Sequence, residues 1–175
     1  MTHPMETFLY CPRCGAAGFA PHDERSCRCR QCGFLFYANC ATAVAAVITD
    51  KDGRILLCTR ACEPQKGMLD LPGGFVEFDE TAEAALRREL AEELGIKVHD
   101  VRYLFSQPNR YTYSGYTVHT LDMFFRVEAG EIGHIRCSDD VSRAEFIAPG
   151  EIDFSRIGFW SMKAALHKVI DENLL

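Results

Sequence analysis

Residues 74–96, GFVEFDETAEAALRRELAEELGI, gather seven carboxylates into one short stretch, and no other segment restricts the folding of this chain as tightly. From Ala82 the run AEAALRRELAEEL holds only good helix formers. Thr81 stands where an N-cap is wanted, and Glu83 falls in the first turn, where the helix dipole favours an acid. At about 100° per residue, Leu86, Leu90 and Leu94 make one apolar ridge. Glu89, Glu92 and Glu93 then fall on an adjacent face, within an arc of roughly 100°. Like charges at these spacings repel by roughly a few tenths of a kcal/mol per pair in water, and by more where the face is shielded. Either the face is a solvated acidic one, or a cation belongs among the glutamates. Two features favour the cation. The helix follows LPGGFVE, whose paired glycines let a loop pass close to whatever the helix binds, and the glutamates border the apolar ridge instead of lying opposite it.

The flanking segments supply the rest of a domain. ATAVAAVITD (41–50) reads as a buried strand, Asp52-Gly53 as a hairpin turn, and RILLCTR (54–60) as the returning partner strand. VRYLFS (101–106), HTLDMFFRVE (119–128) and the short RAEFIA (143–148) are further strands with aromatic and β-branched content. Residues 158–174 carry Phe159, Met162, Leu166, Val169 and Ile170 at helical spacing and read as an amphipathic helix, with Trp160 as one of its packing residues. Hydrophobic residues are 47% of the chain, enough to fill a core of this size. The expectation is a mixed α/β domain over 40–175.

In front of it, six of the nine cysteines crowd the first forty residues. Cys11-x-x-Cys14 and Cys29-x-x-Cys32 form two knuckles, each closed by a glycine, and that spacing lets two tight turns present four thiolates tetrahedrally, the closed geometry of structural zinc. Cys27 is an alternative to Cys29 as the third ligand. Four cysteine ligands leave no open coordination position, so such a zinc holds structure and does no chemistry. A segment of this size (1–39) has little core of its own, and the metal would contribute much of its folding free energy. Cys58, Cys62 and Cys137 are scattered and read as small hydrophobes.

The formal net charge of −6 argues against general affinity for a nucleic-acid backbone. No run of eighteen or more apolar residues is present, so no membrane span is expected. The opening MTHPMETFLY lacks a basic segment followed by an apolar one and does not read as a secretory signal, which with the free thiols suggests a cytoplasmic chain.

Gly74-x5-Glu80-x7-Arg88-Glu89-Leu90-x-Glu92-Glu93-x-Gly95-Ile96 matches the Nudix box at each of its fixed positions, and from about residue 40 onward the chain resembles the Nudix hydrolases. The resemblance implies an α/β/α sandwich around a mixed sheet, here preceded by a small zinc ribbon, and cleavage of a diphosphate linked to another group. It implies that Glu89, Glu92 and Glu93 hold magnesium or manganese, that the Gly74 carbonyl adds a ligand, that Arg88 keeps a box glutamate ionised and oriented, and that Glu80 supports the helix start. Hard oxygen ligands suit such ions, which neutralise a diphosphate and activate a water.

A four-cysteine ribbon before a Nudix domain is further similar to the bacterial NADH pyrophosphatases, whose Ser-Gln-Pro-Trp-Pro-Phe-Pro-x-Ser segment follows the box. This chain keeps Ser106, Gln107 and Pro108 but has Asn109 for the tryptophan and lacks the later prolines. The family's later metal-linked glutamate falls near Asp140, with Asp139 and Glu145 beside it. In NRYTYSGYTVH, Tyr111, Tyr113 and Tyr116 are candidates to stack on a base, and Arg110 or Arg60 to meet phosphate; the other reading of each tyrosine is packing against the sheet. His119 and His134 have no partner signal. Two functions follow: a magnesium-dependent pyrophosphohydrolase acting on a small NADH-like or ADP-ribose-like nucleotide, as a monomer or homodimer, or a module whose ribbon grips nucleic acid or protein while the Nudix fold senses a ligand. The intact set of box carboxylates favours the hydrolase.

Overall fold

Strand β4 (Ala41–Ile48) is apolar apart from Thr42, and the fold uses both of its faces. Val44, Ala46 and Ile48 pack into one core, while Ala45 and Val47 pack into another. A strand that alternates between two apolar cores has to lie at the centre of a sheet covered on both sides. The computed structural model, which describes residues 3–98, 100–127 and 134–175, places it there, in a mixed sheet of order β7-β4-β9-β8. Strand β7 (Gly73–Phe75) runs antiparallel to β4, β9 (Tyr116–Val127) runs parallel to it, and β8 (Val101–Tyr113) pairs antiparallel with β9. A second, antiparallel sheet has the order β10-β5-β6, from β5 (Ile55–Arg60), β6 (Leu69–Asp70) and β10 (Val141–Ile147).

Helix α1 (Ala82–Leu94) covers the first core with Ala85, Leu86, Leu90 and Leu94. Helix α2 (Trp160–Asp171) covers the second with Met162, Ala165, Leu166 and Val169. The same alternation runs through β5, where Leu56 and Cys58 join the first core and Ile55 and Leu57 the second, and through β9, where Phe125 and Val127 oppose Phe124. This is the α/β/α sandwich.

Two expectations about the strands are corrected. The turn between 50 and 54 forms, with the Asp50 N–H donating to the Arg54 carbonyl at 3.0 Å and Gly53 at φ +74. The strands around it do not pair as a hairpin beyond a bridge between Thr49 and Ile55. Strand β4 has two edges, and β9 and β7 take both, so β5 joins β10 and β6 in the other sheet. The strands expected at 101–106 and 119–128 are each longer inward, forming a hairpin whose turn is Ser114-Gly115, both at positive φ as a tight two-residue turn requires. The polar run QPNRYTY hides this strand from a search for apolar alternation. Pro108 is tolerated because β8 is an edge strand. Glu128, the last residue of the expected strand, lies outside the described residues.

The N-terminal ribbon has its own sheet, β1 (Phe19–Asp23), β2 (Ser26–Cys29) and β3 (Leu35–Tyr37) in sequential order. Its small core is Met5, Cys11, Phe19, Cys27 and Cys29. Each knuckle closes on its glycine: the Gly15 N–H donates to the Cys11 carbonyl at 2.8 Å and the Gly33 N–H to the Cys29 carbonyl at 3.1 Å, both glycines at φ +72. Phe8 meets Tyr116 of the β8–β9 hairpin at 5.5 Å between ring centroids.

Leu90 is fully buried between α1 and the sheet. Truncating it leaves a cavity that a close-packed interior closes only in part. Leu90→Ala should therefore lower the unfolding free energy by about 2–5 kcal/mol, read from urea unfolding of both proteins.

Candidate active site

The site is built outward from the two ends of α1. At its start the Thr81 hydroxyl accepts the Ala84 N–H at 3.2 Å, satisfying an amide that the helix leaves unpaired. At its end Gly95, at φ +66, donates to the Ala91 carbonyl, the closure of a left-handed cap, and the Ile96 N–H reaches the Leu90 carbonyl. The remaining carbonyls of the last turn are met by residues 136–138. The Arg136 N–H donates to Leu94 O at 3.0 Å and the Ser138 N–H to Glu93 O at 2.9 Å, and the Ser138 hydroxyl donates to Glu92 O. This docking holds Asp139 and Asp140 beside the helix.

Close approach to the strand side demands both glycines of the LPGGFVE loop. Gly73 has φ +143, and a Cβ there would lie 2.1 Å from the Val44 carbonyl oxygen. A Cβ on Gly74 would lie 2.5 Å from the Glu89 carboxyl carbon. The Glu89 carboxylate thus lies directly over Gly74, and the Gly73 N–H donates to Glu93 Oε2 at 3.1 Å.

Arg88 joins the helix to the loop. Its Nε and Nη2 bind the two Glu80 oxygens at 3.0 and 2.9 Å. Nη1 donates to Glu89 Oε1 at 2.8 Å and to Glu92 Oε2 at 3.1 Å, and Nη2 also reaches the Phe75 carbonyl at 3.0 Å. Five donors in a planar fork find five acceptors. The Glu80 contact, with the Glu77 N–H also on Oε2 at 3.1 Å, holds the Glu80 carboxyl below its usual range and locks the loop onto the helix start.

Glu93 is only 6% exposed. Burial pushes its carboxyl up to about 8, against the Gly73 N–H, and the charges of Glu89, Asp70 and Asp140 push the same way. Glu89 is also raised, first by burial, with Arg88 opposing and Glu92 and Asp139 adding. Glu92 is exposed. Asp139 and Asp140, more than forty residues away in sequence, are therefore part of the same negative field. Arg88 separates Glu89 from Glu92, and among the described residues the four cysteines are the group of three or more Cys, His, Asp or Glu whose ligand atoms all lie within 4.8 Å of one another. The carboxylates and the Gly74 backbone form an all-oxygen donor set in which a buried acid is held among other acids, an arrangement that fits a hard divalent cation.

The residues expected to meet a nucleotide divide. Arg60 is engaged inside the fold, with Nη1 on Asp70 Oδ2 at 3.1 Å, Nε on the Pro64 carbonyl at 2.8 Å and its guanidinium 5.0 Å from the centre of the Phe159 ring. Asp70 is raised to about 6 by burial, with Arg60 opposing and Asp122 adding. Tyr111 stacks on Phe159 at 5.5 Å and meets Phe75 edge-on at 5.4 Å. Tyr113 is exposed on the hairpin, Gln107 is half-buried opposite Asp122, and Glu145 pairs with Arg143 at 2.8 Å. Arg110 and His119 face each other across β8 and β9 and line a cleft of about 560 Å³ with Gln65, Asn109, Phe159 and Trp160. Trp160, expected as a packing residue, is 62% exposed on that cleft. As the first residue of α2 it precedes the turn that faces the core.

Sequence reasoning missed the buried Asp122, which accepts from Thr120 and Ser161 hydroxyls at 2.6 Å each and so ties β9 to α2. An acid inside the apolar run LDMFF was its one signal. In the ribbon, Cys11, Cys14, Cys29 and Cys32 converge. Cys27 points elsewhere, buried with its Sγ 3.8 Å from His3 Nδ1. The Cys32 N–H, 3.5 Å from Cys29 Sγ, is the main group lowering that thiol to about 6, as expected of a knuckle whose amides point at sulfur.

With this geometry in place, comparison with known proteins gives a consistent result. The NUDIX domain family model matches residues 41–168. NAD-capped RNA hydrolase NudC of Vibrio cholerae serotype O1 is 34% identical over 106 residues, covering 61% of this chain and 39% of that protein. The NudC of Deinococcus radiodurans is 38% identical over 102 residues, covering 57% and 36%. The chain thus spans about two fifths of the length of these relatives. A crystal structure of a NUDIX hydrolase from Nitrosomonas europaea superposes with a TM-score of 0.71 at 22% identity, covering 95% of this chain and 93% of that one. A MutT NUDIX hydrolase from Burkholderia pseudomallei gives 0.64 at 26% identity, covering 75% and 98%. The box on α1, the sandwich around β4 and the match over 41–168 together make this chain a member of the Nudix family.

Proposed function

We propose that this chain is a divalent-metal-dependent pyrophosphohydrolase that cleaves the diphosphate of an NADH-like or ADP-ribose-like nucleotide. The observation that carries the reading is the set of acids around Gly73 and Gly74: Glu89 over Gly74, Glu93 on the Gly73 amide, and Arg88 holding Glu80, Glu89 and Glu92 in one fork. Glu89, Glu92 and Glu93, with the Gly74 carbonyl and Asp140, would hold magnesium or manganese, which supplies the positive charge that a diphosphate under attack requires. Arg88 orients two of these carboxylates, and the Gly73 amide positions the third. The names of the relatives add NAD-capped RNA to the substrates to be assayed. Among the described residues no helix is long and apolar enough to cross a membrane.

Amide replacements keep the shape of a carboxylate and remove its charge. Glu92→Gln and Glu93→Gln should each lower kcat by roughly 10²-fold or more on NADH and ADP-ribose at saturating magnesium, with unfolding midpoints retained. Rates like those of the unmodified protein in both variants would overturn the assignment of the acids.

In the ribbon, convergence of four sulfurs within 4.8 Å fits a structural zinc held by Cys11, Cys14, Cys29 and Cys32. Elemental analysis of protein purified without added metal should find about one zinc per chain, as four-thiolate sites predict. Cys27→Ser should retain it and Cys29→Ser lose it; the reverse result would exchange the ligand.

A further inference from the structure

We propose that the four-cysteine cluster of the ribbon is a reversible oxidation site: hydrogen peroxide closes it into two disulfides, Cys11–Cys32 and Cys14–Cys29, and so loosens the hold of the ribbon on the β8–β9 hairpin. The inference rests on the zinc reading of the ribbon and not on the reaction at the acids. Three observations carry it. The close sulfur pairs run between the knuckles, with Cys11 Sγ 3.7 Å from Cys32 Sγ and Cys14 Sγ 3.7 Å from Cys29 Sγ. Small shifts bring each pair to the roughly 2 Å of a disulfide bond. Each pair also joins an exposed thiol to a buried one: Cys14 and Cys32 are exposed, Cys11 and Cys29 buried. That is the arrangement of an oxidisable thiol beside a resolving one. The exposed thiolate attacks one peroxide oxygen, the O–O bond breaks, and hydroxide leaves, giving a sulfenic acid. The buried thiol then attacks that sulfur; the S–S bond forms and the S–O bond breaks with loss of water. Each disulfide thus consumes one peroxide. Zinc requires thiolate sulfur, so the closed pairs no longer hold it.

The third observation is how the first knuckle is tied to the rest of the molecule. The Cys11 N–H donates to the Ala16 carbonyl at 2.9 Å, Tyr10 bridges Ala17, and the Gly18 N–H donates to the Leu9 carbonyl at 3.3 Å. Residues 9–18 therefore form a short ladder whose turn is the knuckle, and Phe8 stands at its open end. Phe8 is the residue whose ring meets Tyr116 of the β8–β9 hairpin, at 5.5 Å. Arg110 and His119 of that hairpin line the cleft. Cys11 and Cys29 are also two of the five residues of the ribbon core, so drawing them toward Cys32 and Cys14 repacks that core and shifts the ladder that carries Phe8.

A protein carrying Cys40→Ser, Cys62→Ser and Cys137→Ser keeps exposed thiols only within the cluster. Treated with hydrogen peroxide in its zinc-loaded form, it should release zinc to a chromogenic chelator as the cluster thiols disappear, and dithiothreitol with added zinc should restore both. Trypsin separates the four cysteines, because Arg13 lies between Cys11 and Cys14, Arg25 and Arg28 between Cys14 and Cys29, and Arg30 between Cys29 and Cys32. Mass spectrometry of the digest should find Cys11 joined to Cys32 and Cys14 to Cys29. Amide hydrogen exchange over residues 110–120 should quicken in the oxidised protein. Phe8→Ala should quicken it in the reduced, zinc-loaded protein with no oxidant present. Cluster thiols that survive peroxide, disulfides within each knuckle, or hairpin exchange unchanged by oxidation would overturn the proposal. Protein that holds no zinc yet forms these two pairs and loosens the hairpin removes the zinc and keeps the oxidation site.

Discussion

Arg88 spends all five of its N–H donors on four residues: Glu80, Glu89, Glu92 and Phe75. Each contact removes a different freedom. The pair with Glu80 fixes the loop before α1, the Phe75 carbonyl fixes the loop to the end of β7, and the two helix glutamates are held at one nitrogen. Buried and half-buried carboxylates at this density repel unless a cation stands among them. A planar guanidinium offers five donors in one fixed fork, where an ammonium offers three from a single point. Without it, Glu89 would lie over Gly74 with no counter-charge and the loop would have no anchor on the helix. The placement of Glu80, Glu89 and Glu92 therefore follows from one side chain on α1.

The second layer is linked to the first by polar groups that the core would otherwise exclude. Asp70 and Asp122 are both buried. One is paired with Arg60 and the other accepts from Thr120 and Ser161. A buried carboxylate without partners costs several kcal/mol on an order-of-magnitude scale, so these contacts set where β6, β9 and α2 meet. That junction holds Phe159 under Arg60 and leaves Trp160 at the surface. The cleft and the acids thus belong to one framework, with Tyr111 and Phe75 between them.

The ribbon solves a different problem. Its core is five residues, two of them members of the four-cysteine cluster. Packing alone stabilises a body of that size poorly, and the positive-φ glycines after each knuckle commit the backbone to a geometry whose use is to gather sulfur. Cys27 shows how a cysteine two residues from a knuckle partner can serve as plain core: strand alternation in β2 places Cys27 and Cys29 on one face, and only Cys29 also begins the turn.

Local order was legible in the residues themselves. The spacing of Leu86, Leu90 and Leu94 predicted the buried ridge, Thr81 the cap, the glycines after each knuckle the tight turns, and Glu89, Glu92 and Glu93 their shared side of the helix, because helix and turn periodicities are short-range properties. Pairing was not legible. Asp52-Gly53 promised a hairpin and made only its turn, since the competition for the edges of β4 was won by distant strands. The hairpin at Ser114-Gly115 was hidden by a polar edge strand. Asp139 and Asp140 reach the glutamates through the carbonyls at the end of α1, and Trp160 reaches the surface because α2 begins two residues before its first buried apolar side chain, Met162. The sequence by itself determined which residues carry carboxylates, thiols and helical phase; only the tertiary structure decided which of them meet, because those contacts depend on burial and edge competition summed over the whole chain.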